Sequence, residues 1–112
     1  MKLSTKEMQG VMVITMEGSM LGGPEASELN NTLHKLIEGK KKKIVVDVGE
    51  VALMNSSGLG MLIGGVTTMR NAGGDLKVAG ATDKVAQVFK ITKVSNVVEL
   101  HENVKAAVES YS

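Results

Sequence analysis

One short run, Ile44-Val45-Val46-Asp47-Val48, constrains this chain more than any other. It is rich in β-branched residues and does not alternate between polar and apolar. Such a run suits a strand covered on both faces, as in a parallel sheet. Parallel neighbours need crossover connections, usually helices. The flanks supply them. Ala26, Leu29, Leu33, Leu36 and Ile37 recur at helical spacing before the run, and Leu59, Leu62, Ile63, Val66 and Met69 after it.

The rest of the chain extends this pattern. Leu3–Met8 reads as a polar edge strand, Gln9-Gly10 as a turn, and Val11–Met16 as a strand apolar on both faces, which together predict a hairpin. Pro24 suits the first position of a helix, with Gly23 as its N-cap and Gly39 as the C′ residue that stops it. Val51–Met54 is a short apolar stretch leading into Asn55-Ser56-Ser57-Gly58. Ala72-Gly73-Gly74 is a loop, Leu76–Ala79 a strand, and Thr82 or Asp83 the start of a helix through Val85, Val88 and Phe89 to Ile91. Val97–Leu100 reads as a last strand, and Val104, Ala107, Val108 and Tyr111 line a final helix. The expected order is ββαβαβαβα: an α/β domain with about four helices and a mostly parallel sheet opened by an antiparallel hairpin. At 112 residues the chain fits a single domain, 1–112.

Composition narrows the function. The formal charge of +1 lacks the basic excess of a nucleic-acid binder. Phe89 and Tyr111 are the only aromatics, too few for a base-stacking platform. There is no cysteine, so no disulfide, thiolate metal site or cysteine nucleophile is expected, and His34 and His101 form no spaced ligand motif. No cofactor and no metal are expected. The N-terminus lacks the apolar core of a signal peptide, and no apolar run approaches the roughly 18 residues of a membrane span. The Lys40–Lys43 run reads as a solvated loop.

The chemistry concentrates in Met54-Asn55-Ser56-Ser57-Gly58-Leu59-Gly60, at a strand-to-helix junction. Open α/β sheets bind at the carboxyl ends of their strands. A serine here can cap the helix, or it can accept a phosphate at the positive end of the helix dipole. Gly58 and Gly60 either leave room for a partner to approach or let the helix pack closely on the sheet. Gly58-Leu59-Gly60 with Gly64 is a poor dinucleotide loop, because Ile63 stands where the motif needs glycine. Hydrolysis through Ser56 lacks a local base.

Asn55-Ser56-Ser57-Gly58-Leu59-Gly60 resembles the Asp-Ser-(Ser/Thr)-Gly-Leu-Gly signature of STAS-domain anti-sigma factor antagonists. The likeness runs over nearly the whole chain: the opening hairpin, Gly18 before the first helix, the Val-Val-Asp strand, the signature and two further strand–helix units. It implies the STAS fold and a cytoplasmic bacterial signalling role without enzymatic activity. In that family the first signature serine, here Ser56, is phosphorylated by a partner that is both kinase and anti-sigma factor. The unphosphorylated antagonist binds this partner and frees the sigma factor for transcription. Phosphorylation ends the complex and a phosphatase restores it. Partner contacts are expected on Met20, Leu21, Gly22, Met54, Asn55, Ser56, Ser57 and Gly58, with Ser57 as a helix cap; Met20, Leu21 and Met54 either form an apolar rim around Ser56 or, as methionines more often do, Met20 and Met54 belong to the core. The resemblance implies no nucleic-acid partner, no membrane insertion, and a monomer or weak dimer. Asn55 and Leu21 stand where the family has acids. They motivate an alternative: a STAS scaffold, never phosphorylated, within a signalling or lipid-transport complex.

Overall fold

Gln9 and Gly10 both adopt positive φ, 52° and 79°, the combination required by the tightest hairpin turns. They join β1 (Lys2–Met8) to β2 (Val11–Met20) in antiparallel register, with Met8 opposite Val11 and Lys2 opposite Glu17. A computed structural model describes residues 2–91 and 97–111. After the hairpin come α1 (Pro24–Glu38), β3 (Lys43–Met54), α2 (Ser56–Asn71), β4 (Asp75–Ala79), α3 (Asp83–Ile91), β5 (Leu100–His101) and α4 (Val104–Glu109). The sheet runs β1-β2-β3-β4-β5, and every pair after the first is parallel. This is the expected α/β architecture and element order.

β2 divides its apolar residues between two faces. Ile14, Met16 and Met20 join Ile44, Val46 and Val48 of β3 beneath α1, α2 and α3, where Leu29, Leu33, Leu62, Val66 and Phe89 close the main core. Val11, Val13, Val45 and Ala79 face the other way, onto Ala107 and Val108 of α4. The continuous β-branched run thus follows from a strand covered on both sides.

Polar groups tie α4 down. The Tyr111 hydroxyl donates to the Ile44 carbonyl (2.7 Å), and the Lys77 ammonium lies 4.1 Å from the Tyr111 ring centroid. That ammonium also donates to Ser110 Oγ (2.7 Å), and Glu99 lies 3.6 Å from it.

Three local expectations change. First, β2 runs on to Met20, and β3 is one strand from Lys43 to Met54 rather than two apolar pieces. Thr15 pairs with Asp47 but Glu17 with Glu50, and Gly18 with Val51 but Ser19 with Leu53. β3 therefore carries an extra residue at each shift, two bulges in all. The Asp47 carboxylate accepts the Gly49 N–H at 2.9 Å within the first. These insertions put Val48, Val51 and Met54 in the same core at a spacing of three.

Second, Val97–Leu100 is not the last strand. Among the described residues, only Leu100 and His101 pair with β4, through Val78 and Ala79. Val98 is buried from a bend while Val97 is exposed.

Third, Gly39 is the C-cap of α1 with an ordinary φ of −81°, and Lys40 takes the left-handed C′ position at φ 62°. The Lys40 N–H donates to the Ile37 carbonyl and the Lys41 N–H to that of Leu36, which is the Schellman pattern.

Candidate functional site at the start of helix α2

Asn55, not a serine, caps α2. Its backbone is extended (φ −111°, ψ −177°) and its side-chain oxygen accepts the Gly58 N–H at 2.8 Å. The Leu59 N–H then donates to the Asn55 carbonyl, the first bond of the helix proper. Ser56 and Ser57 fall at the first two helical positions, both exposed. Among the described residues neither hydroxyl hydrogen-bonds to the protein. The expectation that Ser57 caps the helix is corrected for a geometric reason: the capping oxygen must precede the first turn, and Asn55 holds that place.

Two glycines let the β2–α1 loop close on this end. A Cβ on Gly58 would fall inside the Met20 carbonyl group, so only glycine lets α2 abut the end of β2. Gly22 has φ +82°, and a Cβ there would come 2.6 Å from the Ser57 Cβ. The Asn55 N–H reaches the Met20 carbonyl at 3.4 Å. The loop thus brings Met20, Leu21 and Gly22 against Met54, Asn55, Ser56, Ser57 and Gly58.

The apolar rim is only partly present. Met20 and Met54 point into the core beneath α1 and α2, at 0% and 6% exposure. Met20, Met54 and the buried Gly58 offer a partner no side-chain surface. Leu21 (43% exposed) keeps its place, and Leu53 (50% exposed) is a second exposed apolar residue, one position before Met54. Leu53 was missed because its exposure depends on the second bulge in β3. The pairing of Ser19 with Leu53 puts both on the face opposite Met54.

A carboxylate also reaches the loop from α1. Glu25 Oε1 accepts the Leu21 N–H at 2.8 Å. Hydrogen bonds from its own N–H, then from those of Leu21 and Gly23, hold the Glu25 carboxyl below the usual carboxylate range. The visible signal was an acid just after Gly22-Gly23-Pro24. Among the described residues there is no metal-ligand cluster of His, Asp and Glu, and no helix is long and apolar enough to cross a membrane.

Comparison with known proteins agrees with this geometry. The chain is 33% identical over 55 residues to the anti-sigma-B factor antagonist of Listeria monocytogenes, covering 49% of this chain and 48% of that protein. The match therefore spans about half the length of that relative. Among solved structures, an anti-sigma factor antagonist from Mycobacterium paratuberculosis superposes with a TM-score of 0.83 at 16% identity, covering 97% of this chain and 92% of that one. The phosphorylated form of the Bacillus cell fate determinant SpoIIAA superposes at 0.73 and 13% identity, covering 99% and 100%. At such identities the structures show a shared fold. The STAS domain family model matches residues 2–107, the whole described sheet and all but the end of α4, and on that match the chain belongs to the STAS domain family.

Proposed function

We propose that this chain, acting as one STAS unit over residues 1–112, is an anti-sigma factor antagonist switched by phosphorylation of Ser56. The observation that carries this reading is the state of the Ser56 hydroxyl. It is exposed at the first position of α2 and is relieved of capping by Asn55. The name of the Listeria relative supports the same reading. In the cytoplasm of a bacterium, the unmodified chain binds an anti-sigma factor that is also a serine kinase, so that the sigma factor is released. The kinase moves the γ-phosphoryl group of ATP to Ser56 Oγ, releasing ADP and a proton, and a phosphatase reverses the modification. The chain supplies the acceptor and not the catalyst.

Electrostatics make the switch act at the interface rather than on the fold. A phosphate adds about −1.5 to −2 charge at neutral pH. At a helix N-terminus this is favourable by a few tenths to about 1 kcal/mol. The cost arises when a partner must bury it. With the cognate kinase and ATP, intact-mass and peptide mass spectrometry should find one phosphate on Ser56. Ser56→Ala should abolish it and Ser57→Ala retain it. Ser56→Glu should melt within a few degrees of wild type yet bind the partner far more weakly. Phosphate on Ser57 alone, or undiminished binding by Ser56→Glu, would overturn the assignment. The scaffold reading draws on one observation, the neutral Asn55 amide engaged in capping beside Ser56. A chain that binds its partner equally before and after kinase treatment would favour it.

A further inference from the structure

β3 outruns its neighbour. β4 pairs with it only from Lys43 to Asp47, whereas β2 accompanies it to Met54. Among the described residues, Gly49–Met54 therefore has a strand on one side only. Gly80 (φ +77°) turns the chain away after β4, with its carbonyl 3.6 Å from where a Gly49 Cβ would stand. Beyond that point an open groove of about 450 Å³ separates Gly49–Ala52 from Thr82–Lys84 at the start of α3.

We propose that this free edge of β3 receives an extended, basic segment of the anti-sigma partner as an added strand. The inference rests on the reading of Ser56 given above. Three features select this occupant. An unpaired strand edge offers free backbone donors and acceptors that another extended backbone can satisfy; the two bulges interrupt their alternation, so the added strand pairs in two short stretches, Glu50-Val51 and Leu53-Met54. The groove walls carry the Glu50 and Asp83 carboxylates, both exposed and in no ion pair among the described residues, against the single Lys84. That balance favours a cationic side chain. Finally, the edge leads through Met54 directly to Asn55 and Ser56. At about 3.3 Å per residue the free stretch is about 20 Å long. A strand laid on it brings the rest of the partner to the acceptor hydroxyl.

The test titrates the full chain with the kinase identified by the phosphorylation assay, reading affinity by calorimetry and amide hydrogen exchange by NMR. On binding, amides within Glu50–Leu53 should slow at least tenfold in exchange. The double variant E50K/D83N changes two exposed side chains and keeps at position 83 a residue that suits a helix start; it should melt within a few degrees of wild type and bind about tenfold more weakly. Unchanged exchange in the wild-type complex, or unchanged affinity of the double variant, overturns the strand addition while Ser56→Glu still reports on the switch. Failure of the wild-type chain to bind any anti-sigma factor overturns both.

Discussion

Replacing Asn55 by alanine tests the geometry of the site directly, because the sequence and the structure assign the cap of α2 to different residues. The 2.8 Å bond from the Gly58 N–H to the Asn55 side chain satisfies one of the orphan donors at the helix start. Losing such a cap costs about 1 kcal/mol. For a chain of this length, an unfolding entropy of about 2.1 cal/mol/K per residue turns that into a fall in melting temperature of about 4 °C. Ser56→Ala and Ser57→Ala remove hydroxyls that bond no protein group, so each should stay within about 0.5 kcal/mol of wild type. Asn55→Asp keeps the capping oxygen and adds a charge that the helix dipole favours by about 0.3–1 kcal/mol. It should therefore match or exceed wild type above the aspartate pKa. Thermal denaturation by circular dichroism, with the four variants side by side, reads the series. A loss of about 1 kcal/mol in Ser57→Ala with none in Asn55→Ala would refute this assignment. It would mean that Asn55 is free to face the phosphoacceptor.

Two other perturbations follow from positions already described. Lys40 and Gly73 hold the same left-handed place after α1 and α2, at φ 62° and 85°; Lys40→Gly should raise stability by about 0.5–1 kcal/mol and Gly73→Ala lower it by about 1, in chemical denaturation. Glu25 has a carboxyl pKa depressed in the fold, so its contribution is present above the unfolded value near 4.5 and is lost as pH falls through the folded one. Wild type should thus lose stability relative to Glu25→Gln on acidification below about pH 4.5, and parallel stability–pH curves for the two would show that the loop bonds do not form.

The fold was legible where a single periodicity held. The stripe of α1, the β-branched run of β3 and the turn at Gln9-Gly10 each satisfy one local rule, and each stands as read. The full length of β3 did not follow from pattern alone, because Val48, Val51 and Met54 are three apart, and only two bulges against β2 make that a strand spacing. The cap of α2 was misplaced because Asn55, Ser56 and Ser57 all have capping side chains, and the choice depends on where Met20 lets the helix begin. The role of Lys40 was hidden by Gly39, the better left-handed residue one position too early. Met20 and Met54 flank the site in sequence, and the sheet turns both inward, where methionines more often lie.

The docking of α4 has a practical corollary. The helix has six residues, far below the length at which an isolated helix persists in water, so it exists only while seated on the sheet. Its anchor, Tyr111, is the sole tyrosine of a chain without tryptophan. Burial, and after it the Asp75 carboxylate, raises the Tyr111 phenol above its usual range. Intrinsic emission excited at the tyrosine band thus comes from a single ring pressed between Lys77 and β3. The molecule carries its own optical gauge of whether the far side of the sheet is covered, readable without a label and independent of events at Ser56.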